Sequence, residues 1–98
     1  MADIELMPEV AEDFGRILDH LIEYDVADPF SRIDAIVRAI DILGVHPHIG
    51  RPVDNDRREL ILGDDTRGYL ALYHYSVELN TVFVLAIRAQ KEDGYPHD

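Results

Sequence analysis

The sequence predicts an α+β fold of the order β-α-α-β-β-β, in which a helical hairpin packs on a small antiparallel sheet. Two stretches in the first half of the chain repeat apolar side chains with the period of an α-helix, and a short polar link joins them. Three apolar runs in the second half are joined by short polar connections, which is the pattern of an antiparallel meander. Ninety-eight residues are enough for one domain, so the prediction is a single domain over residues 1–98.

A short strand and a first helix are expected at the beginning of the chain. Ile4 and Leu6 alternate with acidic residues, so Asp3–Met7 is interpreted as a strand. Pro8 suits the first turn of a helix because its missing N–H needs no partner there, and the helical pattern continues to Tyr24. The apolar stripe of this helix comprises Val10, Phe14, Ile17, Leu18, Leu21 and Ile22.

The second helix has start and stop signals of its own. Asp28 is a suitable capping residue, and Pro29 fits the first helical position. Gly44 is a natural helix C-terminal residue, and Pro47 prevents the helix from continuing. The apolar stripe of this helix comprises Phe30, Ile33, Ile36, Val37, Ile40 and Leu43.

The remaining strands follow a loop at Val45–Asp56, which is rich in Pro, Gly, Asn and Asp. The predicted strands are Arg57–Gly63, Tyr69–Val77 and Thr81–Ile87. The last run is apolar on both faces and contains no Gly, Pro or charge, so it should be the central strand. Val84 and Leu85 should therefore be buried on opposite faces. One face should be covered by Phe14, Ile17 and Leu21.

Composition excludes several classes of function. The net charge is −11, and the first fifty residues contain three arginines against eleven acids, so non-specific binding to nucleic acid is not expected. The absence of cysteine excludes disulfides and thiolate chemistry. The N-terminal residues lack a signal-peptide pattern, and no apolar run is long enough to span a membrane, so a cytoplasmic protein is expected.

No metal or cofactor is expected. His46 and His48 lie in the predicted loop, but no third ligand follows at a standard spacing. Tyr69, Tyr73 and Tyr75 share one face of a predicted strand, an arrangement more typical of packing than of a platform for stacking nucleic-acid bases, because the surrounding charge is not basic.

Four segments in order resemble the RelE/ParE superfamily of toxins from bacterial type II toxin–antitoxin systems, and the likeness covers essentially the whole chain. The segments are VHPHIGRPV, RREL, YLALYHY and VFVLAIRAQKEDGY. The predicted β-α-α-β-β-β order is also the order of that family. The resemblance implies a cognate antitoxin that neutralises the toxin by wrapping a disordered segment over its surface.

The candidate site residues are Arg67, Arg88, Lys91 and Tyr95. Arg67 lies in the turn before the Tyr69 strand and Arg88 ends the neighbouring strand, so these two side chains can share one rim of the predicted sheet, and the other two residues follow on the same tail. The last segment resembles a common family ending in which an Arg is followed by His, Gln and Arg and then by Gly and Tyr. Ala89 stands where the His is often found, which removes a candidate proton-transfer group. Lys91 stands in place of the second Arg, and it keeps the charge but not the bidentate fork.

The resemblance leaves two targets open. RelE-like members cleave messenger RNA on the ribosome, and in that alternative Arg67, Arg88 and Lys91 would stabilise the charged transition state. Tyr95 would then assist proton transfer. ParE-like members inhibit DNA gyrase and need no acid–base set, so the four residues would be target-binding groups. The net charge and the missing His favour the gyrase inhibitor.

Overall fold

A computed structural model describes residues 1–62 and 68–91 and confirms an α+β fold with two main helices on one face of a sheet. The elements are β1 (Asp3–Leu6), α1 (Pro8–Glu23), α2 (Pro29–Ile40), α3 (Ile42–Val45), β2 (Arg51–Pro52), β3 (Arg58–Leu62), β4 (Tyr69–Ser76) and β5 (Thr81–Ala89). The predicted helices and the three strands of the meander are all present. The predicted loop at Val45–Asp56 contains one further short strand, β2. The sequence did not predict β2 because two residues are too few to show a strand periodicity. Its proline is tolerated because β2 lies at the edge of the sheet.

The sheet has five strands in the order β1-β5-β4-β3-β2, and it is mixed rather than purely antiparallel. Strands β2 to β5 pair antiparallel, but β1 pairs parallel with β5, from Asp3 opposite Thr81 to Leu6 opposite Val84. The predicted central strand, β5, is indeed hydrogen-bonded on both sides. The direction of β1 was not predictable from its residues, because side-chain alternation is the same in parallel and antiparallel strands.

A β-bulge in β5 decides which side chains face the helices. Tyr73 pairs with Val84 and Leu72 pairs with Ala86, so Leu85 is one extra residue on β5. Val82, Val84 and Ile87 all belong to the core under the helices, together with Ile17 and Leu21 of α1, and Phe14 packs against it. Val84 is fully buried as predicted, whereas Leu85 is half-buried. Strict alternation across the whole strand would have placed Arg88 on the same face as Val84. After the bulge, Arg88 lies on the opposite face from Ile87.

Side chains of α1 bind the backbone of β5 beyond the point where β1 ends. The fully buried Asp13 accepts a hydrogen bond from the Ile87 N–H at 2.9 Å and another from Arg16 Nη1 at 2.7 Å. Arg16 Nη2 donates to the Ile87 carbonyl oxygen at 3.1 Å. Buried backbone N–H and C=O groups need hydrogen-bond partners. At Ile87 the side chains of α1 supply the partners that a neighbouring strand would otherwise have supplied.

A second buried contact joins the loop before β2 to β4. The Gly50 N–H donates to the Tyr73 hydroxyl oxygen at 2.9 Å, and Tyr73 is fully buried. A Cβ atom at position 50 would lie 2.7 Å from a ring carbon of Tyr73, so this close approach requires glycine. Tyr73 therefore packs in the core, which agrees with the prediction that the tyrosine stripe serves packing.

Burial raises the pKa of the Tyr73 hydroxyl, and the Gly50 N–H and Arg58 oppose that rise. In the unfolded chain the hydroxyl loses its proton at about pH 10, and in the folded chain it does so at a higher pH. The free energy of unfolding should therefore decrease as the pH rises above about 10.

We expect Tyr73→Phe to cost about 1–3 kcal/mol near neutral pH, because the buried Gly50 N–H loses its acceptor. The variant should also lose less stability than the parent between neutral and alkaline pH in urea-unfolding series. Tyr24→Phe, at an exposed position, is the matched control and should behave like the parent.

Candidate functional site

Arg88 lies on the face of the sheet opposite the helices, where it forms part of a charged trio with Glu59 and Arg51. The side chain of Arg88 is 15% exposed, and Nη2 lies 3.9 Å from Glu59 Oε2. Glu59 is 5% exposed and also accepts a hydrogen bond from Arg51 Nε at 3.1 Å. Two guanidinium groups flanking one nearly buried carboxylate give the Glu59 trio (Arg51, Glu59, Arg88) a net charge of one positive unit, much of it on the exposed Arg51.

Strand pairing explains why these three residues meet. Arg88 pairs with Leu70 on β4, while Glu59 on β3 pairs with the next residue on the same face of β4, Leu72. The Arg88 side chain thus reaches diagonally across β4, a distance that long side chains can span. Arg51 pairs directly with Glu59 from the edge strand β2. No local pattern indicated Glu59 as the partner, because its position near Arg88 depends on the register of three strands.

Lys91 lies elsewhere, at the lip of an open pocket of about 530 Å³ on the helix side of the sheet. The described residues that line the pocket come from α1, from the link to α2, from α2 itself and from the adjoining ends of β4 and β5. They are His20, Leu21, Val26, Ala27, Arg32, Gly68, Tyr69, Ala89, Gln90 and Lys91. The structure therefore separates Arg88 from Lys91, since Arg88 belongs to the Glu59 trio and Lys91 lines this pocket.

Two of the predicted site residues, Arg67 and Tyr95, lie outside the described residues. The strand ends beside them are described. Tyr69 pairs with Ala89, and the Gln90 N–H donates to the Gly68 carbonyl oxygen at 3.2 Å. The start of β4 and the end of β5 therefore lie side by side, as the meander predicts.

His48 of the loop and His74 of β4 have local partners. The His48 ring lies edge-on to the Tyr75 ring with centroids 5.2 Å apart. His74 Nδ1 lies 2.7 Å from the Asp56 carbonyl oxygen. Nearby, the hydrogen bond from the Arg57 side chain holds the pKa of Asp54 below its usual value. Across residues 1–62 and 68–91, no group of three or more His, Asp or Glu side chains is placed to hold a metal ion.

Arg32 is the pocket residue that sequence analysis missed, and a weak signal for it existed. It lies near the N-terminus of α2, where the helix dipole favours acidic rather than basic side chains. Helix stability does not account for a cation at such a position. His20, near the C-terminal end of α1, is favourable for the dipole and gave no comparable signal.

Comparison with known proteins identifies the family. Residues 4–94 match the model of the ParE toxin of the type II toxin–antitoxin system parDE. No curated protein matches the chain. Among the helices of the described residues, none has the length and apolar character needed to cross a membrane. The match spans nearly the whole sequence. The chain therefore belongs to the ParE family of toxins from type II toxin–antitoxin systems.

Proposed function

We propose that this ParE-family toxin inhibits DNA gyrase in the cytoplasm by binding to it, without a catalytic step, and that its cognate antitoxin neutralises it. Arg67, Arg88, Lys91 and Tyr95 are assigned to target binding. Family membership supplies the antitoxin as a partner. The gyrase target is the part that this proposal adds, and it rests on the chemistry of the residues near the end of β5.

The environment of Arg88 is the main support. A ribonuclease would need this guanidinium to face the reacting phosphate, where the charge develops in the transition state. Here the group is largely buried and paired with Glu59, whose carboxylate would repel a phosphate. The position next to Arg88 is Ala89, which has no proton to transfer. A binding role tolerates both features, because an interface residue needs shape and charge rather than an acid–base set.

Alanine substitutions distinguish binding from catalysis. We expect Lys91→Ala and Arg88→Ala to weaken inhibition of gyrase-dependent supercoiling by about 1–2 kcal/mol each, as contacts in an interface do. Loss of a catalytic group would instead lower a rate by about 10²–10⁴. Lys91 is exposed, so its variant should keep the parent's melting temperature. Thermal melting of the Arg88 variant is needed as well, because that change leaves Glu59 with one fewer cation.

Arg38→Ala is the matched control. Arg38 is an exposed residue of α2 that pairs with Asp34, away from the end of β5, and its loss should leave inhibition unchanged. The purified toxin should not cleave ribosome-bound messenger RNA. Codon-positioned cleavage that is present in the parent and disappears in Arg88→Ala would overturn the proposal and establish the RelE-like endoribonuclease.

A further inference from the structure

The described residues that line the pocket at the ends of β4 and β5 carry a charge opposite to that of the protein as a whole. The chain carries 20 acidic residues among 98. None of the described residues lining the pocket is Asp or Glu, whereas Arg32, Lys91 and His20 all contribute to it. We call this the basic pocket, defined by those three residues and by its apolar walls. The walls are Leu21, Val26, Ala27 and Ala89.

Within residues 1–62 and 68–91, no hydrogen bond or ion pair joins the side chain of either permanent cation of the basic pocket, Arg32 or Lys91, to another group. Arg38, two turns further along α2, is paired with Asp34 at 3.0 Å. Arg32 is half-buried, so part of its hydration is already lost without a compensating carboxylate. An anion entering the pocket would restore that partner.

We propose that the basic pocket binds a side-chain carboxylate that stands next to an apolar side chain on an acidic segment of a protein partner. Arg32 would hold the carboxylate through a charge-assisted bidentate contact, and Lys91 would add a second charge at the pocket's lip. The apolar walls would bury the neighbouring side chain of the ligand. A nucleic acid fits less well, because its many phosphates would meet a protein of net charge −11.

The identity of the partner rests on the proposed function. Lys91 is both a proposed target-binding residue and one of the residues that line the basic pocket, so the acidic segment is assigned to the target, DNA gyrase. The existence of the pocket as a carboxylate site does not depend on that assignment, and the two statements are tested separately.

The first test uses the full-length protein and two blocked peptides, N-acetyl-Leu-Glu-amide and N-acetyl-Leu-Gln-amide, which differ in charge alone. In NMR titrations, the Glu peptide should shift the backbone amide signals of Gly68, Ala89 and Gln90 and bind about tenfold tighter than the Gln peptide, the advantage of one charged hydrogen-bonded contact. Arg32→Gln should remove that preference, while Arg38→Gln should keep it. Equal binding of the two peptides would overturn the proposal. Displacement of the Glu peptide by millimolar inorganic phosphate would also overturn it, by showing a general anion site.

The second test measures inhibition of gyrase supercoiling. Arg32→Gln should weaken it by about fivefold to thirtyfold, corresponding to the loss of a contributing interface residue, and Arg38→Gln should not. If the Arg32 variant inhibits as well as the parent, the assignment to gyrase is wrong although the proposed function stands. If the parent itself fails to inhibit supercoiling, the proposed function fails, and the peptide titration alone decides whether the basic pocket binds carboxylates.

Discussion

Val84→Asp is expected to abolish folding at room temperature. Val84 is fully buried on β5, where it pairs with Tyr73 and belongs to the core beneath the helices. An aspartate there would lose its hydration and would also remove the apolar contacts of the valine. Burying an unpaired charge in this way costs several kcal/mol, which is comparable to the whole stability of a domain of this size. Far-ultraviolet circular dichroism and urea unfolding of the purified variant measure the effect.

The matched control is Val77→Asp in the turn between β4 and β5. Val77 is 71% exposed, so the same chemical change should alter the free energy of unfolding by less than about 0.5 kcal/mol. If Val84→Asp instead unfolds at the same urea concentration as Val77→Asp, then β5 is not the buried strand described here. The pair of variants separates burial from the general effect of adding a charge to an acidic protein.

The success of the sequence analysis with β5 and its limits have one physical origin. An uncharged apolar run rich in β-branched residues predicts a buried strand, because few other environments accommodate it. The bulge at Leu85 has no such signal, since any residue of the run could have been the extra one. The run therefore predicted the burial of Val84, whereas strict alternation along it would have placed Arg88 on the wrong face of the sheet.

Long-range pairing explains the remaining differences. The helices were predictable because their apolar stripes, their prolines and their polar link are local signals. The parallel pairing of β1 with β5 joins residues nearly eighty positions apart, and nothing in the four residues of β1 specifies it. The same holds for Glu59 beside Arg88. A sequence shows which charges are available, whereas the registers of the sheet decide which of them meet.

The candidate site, too, was predictable where the signal was local and not where it depended on long-range contacts. Arg88 and Lys91 stood out because polar residues directly after a buried strand lie at the rim of a sheet. Their separation into a paired group and a pocket residue required the geometry of β3 and of the α1–α2 link. Arg32 became a candidate when the pocket placed it near Lys91, although the two residues are 59 positions apart in the chain.

Asp13→Ala is expected to destabilise the protein by about 2–4 kcal/mol, because it removes the acceptor of a buried N–H and the carboxylate partner of a half-buried guanidinium. In the parent, Asp13 accepts hydrogen bonds from the Ile87 N–H at 2.9 Å and from Arg16 Nη1 at 2.7 Å, and the alanine variant loses both. The stability of Asp13→Asn should lie between that of Asp13→Ala and that of the parent. Its amide oxygen can still accept a hydrogen bond from the Ile87 N–H, but it has no negative charge to pair with Arg16. Asp19→Ala, on the exposed side of the same helix, should change stability by less than about 0.5 kcal/mol. Urea unfolding of the four proteins tests this order. Equal midpoints for Asp13→Ala and Asp19→Ala would mean that α1 is held to β5 by apolar packing alone, and that the buried carboxylate adds nothing to the attachment.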